Sequence, residues 1–178
     1  MKRAQWVGVV AVVATVSTGG CSLSDLLNLA GAPPRECPDP GSKGTMTAKI
    51  DGDDFESCNT TLSGAPNSNW VIHGLSGEAV PTEILITVVA ANGASTYEFG
   101  GPNGNGDTNA VFIDANDALS GDEANGSYAT KEDVVSGSIT FSTLDDTHAV
   151  GTFTFTGTRE SDGSATHEVT DGAFDVTL

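Results

Sequence analysis

The sequence is poor in basic residues. It has 7 Lys and Arg residues against 24 Asp and Glu residues, which gives a formal net charge of −17 at pH 7. Because so acidic a surface repels phosphate backbones and anionic headgroups, nucleic acid is not an expected partner, and membrane attachment cannot depend on a basic face. Two explanations for the acidity stay open: solubility in a salty medium, or attraction of a cationic ligand or matrix.

The side chains and motifs of common catalytic sites are also scarce. Only three His residues occur, and the sequence contains neither a Gly-x-Ser-x-Gly motif nor a Cys-x-x-Cys motif. In the register that the sequence predicts for the C-terminal strands, His148 and His167 lie about ten residues apart along one hairpin. This distance is too long for the two residues to share a metal ion. His73 is interpreted as a residue on a strand face rather than a ligand. We therefore do not expect an enzyme.

Apolar runs are short, and the longest one lies near the N-terminus. Lys2 and Arg3 precede the uncharged segment VGVVAVVATV, residues 7–16. A helix needs about 20 apolar residues to span a bilayer, so this segment is typical of a signal-peptide core rather than a permanent anchor. Small residues then lead into Cys21.

The segment around Cys21, VSTGGCS, resembles the lipobox of bacterial lipoproteins, in which a small residue precedes a cysteine that is acylated and becomes the new N-terminus. Thr18 departs from the leucine or valine usual in that motif. The resemblance implies that residues 1–20 are a lipoprotein signal peptide and that Cys21 carries lipid, which anchors an exported protein to the cell envelope. Ser22 resembles the sorting signal for an outer membrane, if the host has one. An ordinary cleaved signal peptide is the alternative.

Export affects the interpretation of the two remaining cysteines. In an oxidising compartment, Cys37 and Cys58 are more easily explained by one disulfide than by two free thiols. A bridge that closes a loop of about 20 residues is worth roughly 3 kcal/mol on the chain-entropy model. Metal binding is the weaker alternative, because no further ligand lies close to either cysteine in the sequence.

The rest of the chain divides into a tether and one domain. Residues 21–44 become rich in Pro and Gly and are typical of a flexible lipid tether. From residue 45 to residue 178, apolar and polar residues alternate, as in Met46, Ala48 and Ile50, and Asn-Gly, Asp-Gly and Ser-Gly pairs separate the segments. We therefore predict a single all-β domain, either an antiparallel β-sandwich or a partly closed barrel.

The C-terminal third is regular enough to predict a strand register. A hairpin over the turn LDDTH and a second hairpin over a two-residue type I′ turn at Asp162–Gly163 bury the same face of the central strand. Aromatic rings then lie opposite glycines and cover them. The predicted pairs are Ile139 with Phe153, Phe141 with Gly151, Phe153 with Gly172, and Gly151 with Phe174.

A wider resemblance rests on three C-terminal segments and on an early turn. The segments are GSITFSTLDD, GTFTFTGT and VTDGAFDVTL, and the early residues are Lys49-Ile50-Asp51-Gly52 and Phe55. They resemble an uncharacterised family of exported bacterial lipoproteins that have an early Asp-Gly turn and end on a Gly-Thr-Phe-x-Phe hairpin. The resemblance implies an all-β, membrane-tethered domain of unknown activity, and it implies no catalytic residues.

One polar stretch, residues 100–123, is a weak candidate for calcium. Its oxygen-bearing side chains follow the spacing of calcium loops, although Thr108 stands where such loops need glycine and no bidentate Glu completes the set. A mobile Gly/Asn turn followed by a strand explains the same residues, so no metal or other cofactor is favoured. The candidate ligands are Asn103, Asn105, Asp107, Asn109 and Asp114.

These features together predict a lipid-anchored module that binds or scaffolds at the cell envelope. The expected partners are the membrane, through the N-terminal lipid, and an envelope protein or glycan. We expect a monomer. The alternative is a small exported enzyme or enzyme inhibitor whose site the sequence does not reveal.

Overall fold

The computed structural model describes most of the predicted domain. The described residues are 37–39, 41–65, 68–78, 80–100, 108–119, 126–131 and 133–178. The predicted signal peptide, Cys21 and most of the tether lie outside them. In this part of the chain, no helix is long and apolar enough to cross a bilayer.

The described residues form ten strands and one short helix. In chain order these are β1 Gly44–Ile50, β2 Asp53–Ser63, β3 Trp70–Ser76, β4 Thr82–Val88, β5 Thr96–Phe99, β6 Asn109–Asp114, α1 Ala115–Leu119, β7 Ser127–Ala129, β8 Gly137–Leu144, β9 His148–Arg159 and β10 Thr166–Thr177.

Eight of the strands close into an antiparallel barrel, in the order β10-β1-β2-β3-β4-β6-β7-β9, and β9 pairs back onto β10. Closure depends on the length of β9, which pairs with β8 over Ala149–Phe155 and with the three-residue strand β7 at Thr158–Arg159. Strands β8 and β5 extend the sheet beyond the barrel. The predicted all-β antiparallel fold is therefore confirmed, and of the two predicted arrangements the barrel forms and is fully closed.

The predicted C-terminal register is confirmed. Ile139 pairs with Phe153, Phe141 with Gly151, Phe153 with Gly172 and Gly151 with Phe174. The glycines are covered by aromatic rings, as expected: a Cβ atom on Gly172 would lie 2.6 Å from the ring of Phe153, and one on Gly151 would lie 2.7 Å from the ring of Phe174. The rings thus occupy the space that side chains at these positions would fill.

The predicted turn at Asp162–Gly163 is wrong. Six residues separate β9 from β10, and only Gly163 among them has a positive φ, 69°, whereas a type I′ turn needs two. Asp162 instead accepts a hydrogen bond from the backbone N–H of Ser164. A bulge at Asp171, with φ 49°, inserts one residue into β10 and restores the predicted pairing from Gly172 onward.

The Asp-Gly pair between β1 and β2 does form the tight turn expected of it. Asp51 and Gly52 have φ values of 52° and 94°, and Ile50 pairs with Asp53 across them. Two positive φ values in a two-residue loop are the type I′ conformation, whose twist matches that of the flanking strands.

The core fills the barrel with the inward-facing residues of its strands. It includes buried aromatic rings from eight strands, β5 and β8 among them, and the ring of Phe174 contacts those of Phe141 and Phe153 with centroids 5.6 and 6.3 Å apart. Within β3 the buried residues are Trp70, Ile72, Gly74 and Ser76, at alternate positions. The period of two in the sequence is therefore the alternation between the barrel interior and its outer surface.

The N-terminal part of the described chain is fastened to β2. Cys37 and Cys58 form the predicted disulfide, with their Cα atoms 4.8 Å apart. The backbone N–H of Asp39 donates to the carbonyl of Cys58, and that of Lys43 donates to the carbonyl of Thr60. The end of the segment that resembles a tether in composition thus contacts the domain directly.

Candidate functional site

An open groove of about 870 Å³ lies at one mouth of the barrel. Its walls come from the turn between β1 and β2, the end of β3, the start of β4, the end of β6 and the start of β10. Since neighbouring strands are antiparallel, all of these termini meet at the same end of the barrel. Mouths of barrels are common positions for ligand sites, because the scaffold holds converging side chains around a concave surface.

The groove combines an apolar wall with an acidic rim. Phe55 and Phe112, which are 5% and 3% exposed, and the partly buried Ile50 supply the apolar surface. No Lys or Arg is among the described lining residues, although Lys49 binds the rim carboxylate Asp54 at 2.9 Å from outside. The carboxylates on the rim are Asp51, Asp53, Asp54, Glu56, Glu78 and Asp114.

His167 faces this groove and is held by Asp51. Its Nδ1 lies 2.6 Å from Oδ2 of Asp51, and Oδ1 of the same carboxylate accepts the backbone N–H of Glu168 at 2.8 Å. The bond from Glu168 is the main reason that the pKa of Asp51 lies below its ordinary value, and the bond from His167 lowers it further. Asp51 is therefore an ionised acceptor at neutral pH, and it favours a proton on Nδ1 of His167.

Two aromatic rings position the imidazole. The ring of Tyr128 meets it edge to face with centroids 4.2 Å apart, and the ring of Phe112 does so at 5.0 Å. Nε2 of His167 makes no hydrogen bond within the described residues, and the side chain is 23% exposed. The groove therefore contains an oriented imidazole nitrogen without a protein partner in this part of the chain.

Tyr128 is itself fixed by a polar network. Its hydroxyl donates to Asp117 of α1 and accepts from Nη2 of Arg159 at 2.9 Å. The guanidinium carbon of Arg159 also lies 5.5 Å from the centroid of the tyrosine ring. Burial, and then the bond to Asp117, raise the pKa of Tyr128. The network ties α1, β7 and β9 together directly behind His167.

The other two histidines also have carboxylate partners, but they lie elsewhere. His148 binds Asp175 at 2.7 Å, and His73 lies 3.4 Å from Glu83 on the neighbouring strand. His148 pairs with Thr177 and His167 with Gly157, so the two occupy opposite ends of the β9–β10 hairpin, as the sequence predicted. The His–carboxylate pairs were not predicted, because each joins residues that are distant in the sequence or lie on different strands.

The predicted calcium ligands lie partly outside the described residues. Asn103, Asn105 and Asp107 are outside them, whereas Asn109 begins β6 and Asp114 ends it, beside the groove. Within the described ranges, no group of three or more His, Cys, Asp or Glu side chains is arranged to hold a metal ion. The calcium site stays a prediction, as does the lipid on Cys21.

Chemically, the groove offers hydrogen-bond acceptors, negative charge and an apolar wall. These properties suit a ligand with a cationic, N–H-bearing end and an apolar stem. The sequence showed the acidity of the chain, but it did not indicate that six of its carboxylates meet at one barrel mouth.

The comparisons with known proteins identify a family but no activity. No curated protein and no solved structure matches the chain significantly. A family model, described as a domain of unknown function, DUF6252, matches residues 42–176, which include every strand from β1 to β9 and nearly all of β10. The protein is therefore a member of the DUF6252 family of domains of unknown function.

Proposed function

We propose that this protein is a lipid-anchored binding module of the cell envelope, which captures a cationic group of an envelope protein or glycan in the groove at the barrel mouth. The observation that carries the proposal is the convergence of six carboxylates around an apolar wall, with no Lys or Arg among the described lining residues. The lipid on Cys21 would supply attachment, and the barrel would supply recognition.

Electrostatics favours such a ligand at this position. A unit charge about 4 Å from a carboxylate gains roughly 1 kcal/mol in water and about 4 kcal/mol at the effective dielectric constant near a protein surface. Several carboxylates on one concave rim add to this attraction, whereas exposed charges elsewhere are screened within about 8 Å at physiological salt. Capture should therefore weaken as the salt concentration rises.

The test compares groove carboxylates with carboxylates elsewhere. The mature chain is purified in detergent, immobilised and exposed to an envelope extract, and the retained proteins and glycans are identified. The variant Asp53→Asn with Asp114→Asn should lose the retained partner. The matched control, Asp146→Asn with Glu98→Gln, removes the same charge at exposed positions away from the groove and should keep it. Equal retention by both variants would exclude the groove as the binding surface.

An enzyme is the second candidate, and the Asp51–His167 pair is the observation that favours it. A carboxylate that orients an imidazole is a common arrangement for a general base. No nucleophilic side chain is hydrogen-bonded to Nε2 of His167 in the described residues, so the pair has no partner for covalent catalysis there. We propose binding without turnover, and turnover of a hydrolase substrate that His167→Gln abolishes would reverse this assignment.

A further inference from the structure

We propose that His167 makes the groove selective for cations that carry N–H groups, namely primary ammonium and guanidinium groups, and that protonation of this residue releases them. The inference rests on the proposed function, because it assigns the chemistry of the ligand in the same groove. It goes further in naming one hydrogen-bond acceptor as the source of both selectivity and pH control.

The carboxylate of Asp51 determines the tautomer of His167. Oδ2 of Asp51 lies 2.6 Å from Nδ1, and the other oxygen of that carboxylate is occupied by the backbone N–H of Glu168. A carboxylate can only accept a hydrogen bond, so the neutral imidazole places its proton on Nδ1 and its lone pair on Nε2. His167 therefore presents an acceptor.

The imidazole of His167 is held at the wall of the groove. His167 lines the groove, its side chain is 23% exposed, and Nε2 has no hydrogen-bond partner within the described residues. The edge-to-face contacts with Phe112 and Tyr128 restrict rotation of the ring. The hydroxyl of Tyr128 is already bound to Asp117 and Arg159, so it does not compete for the ligand.

The acceptor on His167 distinguishes between cations of equal charge. The carboxylates of the rim attract any cation, including calcium and quaternary ammonium groups. Only a cation with an N–H group can also donate a hydrogen bond to Nε2 of His167. A primary ammonium group should therefore bind more tightly than the same group with every N–H replaced by N-methyl.

Ligand binding in the groove should depend on pH through His167. Imidazole is the side chain that ordinarily changes charge between pH 5 and pH 8, and its protonation removes the acceptor and adds a repelling positive charge. The other ionisable groups that line the groove beside His167 or contact its neighbouring rings include carboxylates, one tyrosine and one arginine, and the described lining residues contain no second imidazole. Among these groups are Asp51, Asp53, Asp114, Asp117, Tyr128, Arg159 and Glu168.

The experiment uses the detergent-solubilised mature chain and two probes of equal charge and similar length. These are 1,5-diaminopentane and its fully N-methylated bis-quaternary analogue, and their affinities are measured by calorimetry at pH 8.0 and pH 5.5. At pH 8.0 the diamine should bind about fivefold to tenfold more tightly than the analogue, which is the worth of one hydrogen bond. At pH 5.5 this preference should disappear.

Two variants separate the role of His167 from that of histidines in general. His167→Gln keeps an amide oxygen that accepts hydrogen bonds but does not titrate, so diamine binding should lose its pH dependence between 5.5 and 8.0. His148→Gln removes the other aspartate-paired histidine, which begins β9 at the opposite end of the β9–β10 hairpin, and this variant should retain the pH dependence of the parent. Circular dichroism establishes that both variants are folded before the binding data are compared.

The outcomes distinguish this inference from the proposed function. If neither probe binds at either pH, the groove is not a cation site and both proposals fail. The same conclusion follows if the double variant Asp53→Asn/Asp114→Asn binds the probes as tightly as the parent does. If the probes bind equally well at pH 8.0, or if His167→Gln keeps the parental pH dependence, the assignment to His167 fails while the binding function stands. A change in the ¹⁵N chemical shift of Nε2 of His167 on addition of diamine to the parent protein is the expected direct signature, and its absence on saturation would also overturn the assignment.

Discussion

Gly151→Ala would place a methyl group on β9, which lies between β8 and β10. The new Cβ would lie 2.3 Å from the carbonyl oxygen of Thr140 and 2.7 Å from the ring of Phe174. The carbonyl belongs to the backbone of β8 and cannot retreat without disturbing the β8–β9 ladder, and the ring is 3% exposed and packed against other aromatic rings. Relief of the clash therefore requires movement of both the sheet and the core.

We expect this substitution to lower the free energy of unfolding by about 3 kcal/mol, the upper part of the usual range for overpacked cores. For a domain of this size, that loss corresponds to a decrease of roughly 10 °C in Tm. The measurement is thermal unfolding of the full mature chain followed by far-ultraviolet circular dichroism, with urea unfolding as an independent estimate.

The control is Gly93→Ala, at a position where a Cβ would meet no atom within 4 Å but where φ is 75°. This substitution should lower the free energy of unfolding by only about 1 kcal/mol, because a left-handed backbone conformation is less favourable for alanine than for glycine. If Gly151→Ala unfolded within about 2 °C of the parent, or if the control were the more damaging change, close packing of aromatic rings over glycines would not be what restricts residue 151.

The remaining predictions concern the disulfide, acid stability, attachment and calcium. Replacing Cys37 and Cys58 by serine should leave the fold intact but lower the free energy of unfolding by roughly 3 kcal/mol, and alkylation of free thiols in the unreduced parent would contradict the bridge. The pKa of Asp51 is lowered on folding, so its contribution is present at neutral pH and is lost as the pH falls below the ordinary value of 3.8. Asp51→Asn should therefore destabilise the protein at pH 7 and make its stability less dependent on pH below about 4, and an unchanged acid titration of unfolding would oppose this reasoning. Cys21→Ser should abolish partition into detergent, and retention there would exclude the lipid. Addition of calcium to the mature protein should leave its Tm unchanged, whereas a rise would favour a calcium site in the polar stretch of residues 100–123.

The strengths and errors of sequence reasoning are both visible in the C-terminal hairpins. The pairs around Phe153 were predictable because alternating burial leaves little freedom for a slip of one residue. The turn at Asp162–Gly163 was predicted wrongly because the Asp-Gly pair is compatible with a longer loop, in which Asp162 accepts hydrogen bonds from Ser164. The bulge at Asp171 compensates for that loop, and no pattern in the sequence distinguishes a bulged strand from a regular one.

The local features of this protein follow from its sequence alone. The period of two in the domain, the turn at Asp51–Gly52 and the alternation of Phe with Thr in β9 depend on neighbours along the chain or across one hairpin, so they can be derived from the printed letters. The disulfide between Cys37 and Cys58 was predictable because the predicted export leaves few alternatives for a pair of cysteines.

The strand edges that meet and the side chains that share the barrel mouth are set by long-range contacts. Closure depends on the three-residue strand β7, which is too short to have a pattern of its own. The pairing of β1 with β10 brings His167 to Asp51 across 116 positions of sequence. Together these pairings gather the acidic rim from the turn after β1, the start of β2, the segment after β3 and the end of β6. Such contacts depend on how a twisted sheet returns to its first strand, which is a property of all eight strands together and of no single segment.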